Sequence, residues 1–286
     1  MFSDYCMITR FAPSPSGFLH LGHAYAALVA SAWGKPMRLR IEDIDHVVSR
    51  DHFVAAIYED LDWLGLEYHP KVTFQQVNIV RYQQALQKLQ ALDVVYPCFC
   101  SRTDIRRAQV TRAPHESGTR YPETCRVLSG QQRATLQQEK PFAYRLDATK
   151  AKALVGQPSY RDYRFGQKIA DLSALGDMVI ARKDGLISYH LAVVCDDAVE
   201  KIDLVTRGED LLEMTPLHVV LQHLLELPTP DYLHHHLIKD AEGIRLAKRA
   251  DSQAIRAYRE QGFTPKQLWD LCPKPKIDFP SIPNAD

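Results

Sequence analysis

Net charge is the first thing this 286-residue chain lacks: its 35 basic and 35 acidic side chains cancel at neutral pH. That balance excludes a general polyanion binder, so any contact with nucleic acid must come from a local patch. No window is apolar for long enough to span a bilayer. The first residues carry Asp4 and no basic stretch leading into an apolar run, so they do not read as a secretory leader. The six cysteines are scattered, apart from Cys98 and Cys100, and do not form the framework of a secreted disulfide scaffold. Internal repeats and low-complexity tracts are missing too. These absences predict a cytoplasmic globular protein. A composition 45% hydrophobic supplies core for one large domain or two modest ones.

Hydrophobic periodicity predicts strands over residues 7–11 and 36–41 around a helix over 20–33, which is a βαβ unit. Amphipathic helices are expected over 51–64 and 79–92, and a short strand over 94–96. From residue 98 to about 165 the chain turns rich in Arg, Gln and Pro with weak periodicity, as an insertion would. The βα alternation then resumes with a strand over 178–181, a helix over 189–196, a strand over 202–206 and a helix over 215–225. One more strand is expected over 235–238 and a basic loop over 243–249. The proline-rich stretch after Thr264 is expected to wrap loosely. Parallel α/β layering with an insert fits this order.

The densest chemical signal is His20-Leu21-Gly22-His23, led in by Arg10-Phe11-Ala12-Pro13-Ser14-Pro15-Ser16-Gly17. A strand–turn–helix joint aims backbone N–H groups and the positive end of a helix dipole at one place, which favours phosphate. The imidazoles of His20 and His23 can donate hydrogen bonds to a pentacovalent phosphorus, and Gly22 would leave room for a flat base beside the backbone. Further on, Arg40-Ile41-Glu42-Asp43-Ile44-Asp45 sets three carboxylates at the end of the second strand, where open α/β sheets bind ligands. Glu42 could hold an ammonium group, with Asp43 and Asp45 orienting it or capping the next helix. Arg207, followed by Gly208-Glu209-Asp210, again stands at a strand end and could clamp a carboxylate bidentately or simply pair with Glu209 or Asp210. Lys248, in the loop Gly243 to Arg249, could draw charge off a triphosphate.

Cys98-Phe99-Cys100 and Cys125 suit three corners of a tetrahedral structural zinc site, with Tyr121 or His115 as the fourth. The surrounding segment is core-poor and would profit from such a staple. Between Cys98 and Arg133 seven arginines face three acids, a local excess of four positive charges that points to a nucleic-acid face.

Taken in order, R-F-A-P-S-P-S-G-x-L-H-L-G-H, R-I-E-D-I-D and R-G-E-D-L resemble class I aminoacyl-tRNA synthetases of the glutamyl type over roughly residues 8–250. Small-molecule nucleotidylyltransferases also use H-x-G-H but have no need of the second motif or of an Arg-rich insert. The resemblance implies an α/β, Rossmann-type class I synthetase catalytic domain over 1–97 and 166–250. An inserted, zinc-containing, acceptor-binding-like subdomain would fill 98–165, and a short helical, proline-rich tail 251–286. It implies glutamate contacts at Arg10, Phe11, Ala12, Pro13, Ser14, Glu42, Tyr189 and Arg207, and ATP contacts at His20, Gly22, His23 and Lys248. Catalysis would fall to His20, His23 and Lys248, with Mg²⁺ accompanying ATP. The lysine loop departs from the family's K-M-S-K-S: here it is Arg245-Leu246-Ala247-Lys248-Arg249, which keeps a cation at both basic positions and loses the serine. Only 37 residues follow that loop, against the on the order of 100 that an anticodon-binding domain takes. The chain is thus similar to the family's short branch without that domain. Such paralogues activate glutamate without tRNA and attach it to queuosine in the anticodon of tRNA(Asp). Their C-x-C…Y-x-x-x-C pattern implies Zn²⁺ on Cys98, Cys100, Tyr121 and Cys125. The expected partners are queuosine-bearing tRNA(Asp), L-glutamate and ATP, with no membrane, and the expected state is a monomer. The alternatives are a truncated enzyme charging the 3′ end of tRNA(Glu) and a catalytically weak RNA-binding paralogue.

Overall fold

The computed structural model describes residues 7–34, 36–107, 121–238 and 253–272. Ten strands are described: β1 (Arg10–Phe11), β2 (Arg38–Ile41), β3 (Thr73–Phe74), β4 (Val95–Cys98), β5 (Ala143–Leu146), β6 (Ser159–Asp162), β7 (Gly166–Ile169), β8 (Val179–Ala181), β9 (Leu204–Gly208) and β10 (Asp231–His235). β1, β2 and β3 pair in parallel, and so do β9, β10 and β6, with β7 added antiparallel at the edge. The two sets meet side by side. Asp203 and Leu204 N–H donate to the Ile8 carbonyl, and Arg10 reaches the Thr206 carbonyl, so β1 and β9 run the same way. The parallel order is therefore β3-β2-β1-β9-β10-β6. Strand order reverses between β1 and β9, and a doubly wound sheet binds ligands outside the carboxyl ends at such a reversal.

Helices α1 (Leu21–Trp33), α2 (Asp51–Trp63) and α3 (Ile79–Ala91) follow β1, β2 and β3. Between β4 and β6 come the short α4 (Arg102–Arg107), α5 (Gly130–Glu139) and α6 (Ala148–Val155). Helices α7 (Tyr189–Val199) and α8 (Thr215–Leu224) flank β9, and α9 (Ile255–Glu260) and α10 (Pro265–Asp270) lie past it in the chain. Helix α1 buries Leu21, Ala24, Tyr25, Ala27, Leu28, Val29 and Ala30, so it lies inside a layer and not on the surface. Among the described residues no helix is long and apolar enough to cross a membrane.

Four expectations are corrected. β6 belongs to the parallel sheet although residues up to 165 read as insert, while β8 pairs antiparallel with β5 and β5 with β4. The fold is thus mixed α/β. Pairing between strands so far apart in sequence leaves no trace in local periodicity. The last strand of the sheet is 231–235 and not 235–238. His234 is admitted to its buried centre because both ring nitrogens have partners, so its polarity misleads a reading by hydropathy. Up to Cys272 the segment after Thr264 does not wrap loosely, since Leu268 is fully buried and Cys272 nearly so, and residues 273–286 lie outside the described residues. Just before it, Ile255 N–H donates to the Leu19 carbonyl, which ties α9 to the turn entering α1.

Candidate active site

At the start of α1, His20 is the N-cap. Its Nδ1 accepts from Gly22 N–H at 3.1 Å, and Nδ1 of His23 accepts from His20 N–H at 3.1 Å. This reciprocal capping box satisfies two orphan donors of the helix and stacks the rings 3.8 Å apart. With each Nδ1 accepting, the proton of each neutral ring belongs on Nε2. A Cβ on Gly22 would come 2.9 Å from the His20 ring. A side chain at position 22 would thus press on the His20 ring, and glycine lets the two histidines of the capping box stay in place.

Behind the carboxyl ends lies a buried charge network anchored on α7. Arg40 is wholly buried, with Nη2 at 2.5 Å from Asp197 and 2.6 Å from Glu200. Arg10 shares Asp197 at 3.2 Å and donates to the Thr206 carbonyl at 2.8 Å. Burial pushes Asp197 up, but the two guanidiniums outweigh it and hold the carboxyl below its ordinary range. Asp196 takes hydrogen bonds from Gln75, Arg81 and Tyr82 at 2.8–2.9 Å. One helix turn thereby clamps β1, β2 and α3 around the strand reversal.

In front of that network opens a cleft of about 470 Å³, lined among others by Ser14, Glu42, Tyr189, His190, Tyr121 and Arg145. Glu42 has its backbone N–H on the Pro13 carbonyl, while its side chain makes no hydrogen bond or ion pair among the described residues. Burial pushes its carboxyl up to about 7, although Arg40 and Arg10 draw it down. Arg207, on β9, has only neutral partners among the described residues. Nε donates to His234 at 3.0 Å, Nη1 to His218 at 2.9 Å and Nη2 to Thr215 at 2.7 Å. Glu209 pairs with Arg164 instead, at 2.6 Å. Tyr189 opens α7 between these groups. Burial raises its hydroxyl, and the charges of Glu42, Arg207 and Arg10 all reach it.

The far end of the cleft is a small satellite core of Tyr96, Cys98, Tyr121 and Cys125. The sulfurs of Cys98, Cys100 and Cys125 lie within 4.8 Å of one another, with Cys100 and Cys125 3.5 Å apart. Tetrahedral zinc with bonds of about 2.3 Å to sulfur separates its ligands by about 3.8 Å, so the donor set fits that ion. Tyr121 Oη stands 4.0 Å from Cys100 Sγ and accepts from Cys125 N–H at 2.8 Å. The hydrogen bond from Cys98 pulls the Cys125 thiol below its usual range, and the same contact pushes Cys98 up. The Arg145 guanidinium covers the Tyr121 ring at 3.9 Å and donates to Cys98 Sγ.

The profile for the catalytic domain of class I tRNA synthetases (E and Q) matches residues 7–274. The chain belongs to that family. Among its relatives, the glutamyl-Q tRNA(Asp) synthetase of Rhodobacter capsulatus is 42% identical over 274 residues, covering 92% of this chain and 98% of that one. The protein of the same name from Nocardia farcinica is 38% identical over 267 residues, covering 92% and 82%. The glutamate–tRNA ligase of Aquifex aeolicus is 33% identical over 270 residues, but the match covers only 56% of that longer protein and 92% of this one. In fold, the chain resembles the glutamate–tRNA synthetase of Elizabethkingia anophelis, with TM-score 0.74 at 24% identity over 91% of this chain and 60% of that one.

In this class I synthetase the structure brings Arg10, Ser14, Glu42, Tyr189 and Arg207 to one side of the sheet, at or next to the carboxyl ends of β1, β2 and β9. Phe11 and Pro13 are buried beneath them, and Ala12 is half-buried. Asp43 and Asp45 do not face the cleft's amino-acid end as a pair: Asp43 accepts from Gln76 N–H, and Asp45 pairs with Arg182 at 2.8 Å. Lys248, its loop and His115 lie outside the described residues. Of the insert's arginines, Arg102, Arg106 and Arg107 are exposed on or at the end of α4, whereas Arg126 is committed to Glu123 and Asp177. Sequence reading missed Asp162, His190, Asp197, His218 and His234. None sits in a motif, and only their convergence on Arg10 and Arg207 marks them.

Proposed function

We propose that this synthetase activates L-glutamate with ATP, without tRNA, and passes the glutamyl group to the queuosine base in the anticodon of tRNA(Asp). One observation carries the choice of amino acid. An unpartnered carboxyl at Glu42 and a guanidinium at Arg207 without a counter-ion both lie near enough to Tyr189 for their charges to act on its hydroxyl. That frame complements an α-ammonium at one end and a side-chain carboxylate at the other. Glutamine is isosteric but neutral at that end, so it forgoes the charge-assisted pair.

The α-carboxylate of glutamate attacks the α-phosphorus of ATP in line, an acyl–phosphate bond forms and pyrophosphate leaves. The Nε2–H groups of His20 and His23 donate to the oxygens of the phosphorane. Lys248 steadies the leaving pyrophosphate together with the Mg²⁺ that accompanies the nucleotide. Cys98, Cys100, Tyr121 and Cys125 would hold Zn²⁺, which would supply a structural cross-link and no chemistry toward the substrate. The insert comprises the segment after Cys98 up to α6 together with β8, and its exposed arginines grip an RNA arm through phosphates. A hydroxylated ring on the bound base then attacks the adenylate and expels AMP, a step that requires little beyond proximity.

The acceptor rests on the relatives named for it. The second reading, charging of tRNA(Glu) at its 3′ end, is favoured by the likeness to the Aquifex aeolicus ligase. Pyrophosphate exchange with glutamate alone, followed by transfer assays with purified tRNA(Asp) and tRNA(Glu), separates them. Exchange without tRNA and transfer to tRNA(Asp) are expected. Exchange that requires tRNA(Glu), with charging of that tRNA, would replace this reading by the second.

A further inference from the structure

The hydrogen bonds around Arg207 form one line, and its proton positions follow from a single constraint. Asp162 accepts from the N–H groups of Arg164 and Phe165 at 2.9 Å, and its other oxygen lies 2.5 Å from His234 Nδ1. A carboxylate accepts only, so His234 carries its proton on Nδ1 and turns Nε2 to Arg207 Nε as an acceptor. On the other side the guanidinium again has only donors to offer. His218 Nδ1, 2.9 Å from Nη1, must therefore accept, and the His218 proton lies on Nε2. That nitrogen is 3.0 Å from His190 Nδ1, which accepts in turn. The proton of His190 is thereby left on Nε2, on a ring that lines the cleft beside Tyr189 and Glu42. Burial keeps the line uncharged: it pushes His190 and His234 down to about 4, and His218 well below its usual value.

We infer that His218 is the positioning residue for side-chain recognition, bridging Arg207 to His190 so that both present N–H donors to the same carboxylate. The inference rests on glutamate being the amino acid activated. It explains the contrast between the buried arginines. Arg10 and Arg40 are neutralised by carboxylates of α7, whereas the nearest carboxylate along Arg207's line, Asp162, is one imidazole away. A cation held by neutral acceptors is fixed in place with its charge unspent.

Three variants test it by pyrophosphate exchange. His218→Gln can still accept from Arg207 and donate to His190, and should keep the glutamate KM within about threefold of wild type. His218→Leu fills the space without either bond, and should raise that KM about tenfold or more while the ATP KM stays put. His218→Glu adds the missing counter-charge, and should cut the preference for glutamate over glutamine by about tenfold or more. Equal damage from Gln and Leu, or an ATP KM that moves with the glutamate KM, would reduce His218 to a packing role. Imidazole ¹⁵N spectra of the unliganded wild type decide the proton positions independently of substrate. Protons on Nε2 of His218 and His190 and on Nδ1 of His234 are expected, and any other pattern overturns the line. Should the wild type activate an amino acid other than glutamate, the exchange assay reports that directly while the spectra still judge the line.

Discussion

The two ends of the cleft are held together by different means. At the strand reversal, Arg10 and Arg40 are locked to Asp197 on α7, and Arg40 also to Glu200 at that helix's C-cap, so the chain's own charges fix the site. At the other end the described core is four side chains, and the sulfurs of two of them, Cys98 and Cys125, lie with that of Cys100 close enough to share an ion. Buried ion pairs contribute little net stability but impose severe losses when one partner goes. A metal cluster concentrates its stabilisation in a few bonds and loses it with the ion. Damage should therefore spread from the first end and stay local at the second.

The largest effect is expected from Asp197→Ala, which strands Arg10 and weakens Arg40 inside the core. A loss of about 3–5 kcal/mol in chemical denaturation is predicted, and a loss under 1 kcal/mol would show that the network is not what holds α7 to the sheet. His20→Ala removes a donor and an N-cap together. Pyrophosphate exchange should lose about 2–4 kcal/mol of transition-state stabilisation with glutamate affinity little changed. An exchange rate equal to wild type would remove His20 from the chemistry.

Glu42→Gln should act in the opposite sense on stability. The wild-type carboxyl titrates near 7 in the folded protein, above its unfolded value, so folding disfavours its charged form. The neutral variant should gain about 3 kcal/mol above pH 7. That gain should fade as pH falls and be gone below the unfolded pKa of about 4.3, where both proteins are neutral there. Glutamate-dependent exchange should meanwhile fail. A melting-temperature difference that is flat between pH 5 and pH 8 would contradict the burial of an unpaired acid.

Cys100→Ser should have the smallest global effect. About one zinc per chain is expected in the wild type, and the variant should lose it. Hydrogen exchange should quicken around β4 and residues 121–128 while α7 and β9 stay protected. Faster exchange throughout the sheet would erase the distinction between the two ends.

Much of the site was legible because motifs are local. His20 and His23 lie within one helical turn at the start of α1, and Glu42 follows β2 by a single residue, so spacing alone marks a helix start and a strand end. What supports them was not legible. Asp162 meets His234 across 72 positions, and Arg10 meets Asp197 across 187. A lone acid or histidine carries no signal of its partner over such separations. The same holds for β8, whose apolar sequence suits either sheet and whose place is set by β5. At Gly22 the glycine is visible in sequence, but the His20 ring that a side chain there would meet is not.

The acceptor is the central claim and has a direct test. Labelled glutamate and ATP are given to the protein with tRNA(Asp) from normal cells and from cells unable to make queuosine. Label should appear only on the queuosine-containing tRNA, and should fall steeply as salt rises, as the proposed grip of arginines on phosphates requires. Equal labelling of both tRNAs, or efficient charging of tRNA(Glu) at its 3′ end, would contradict it.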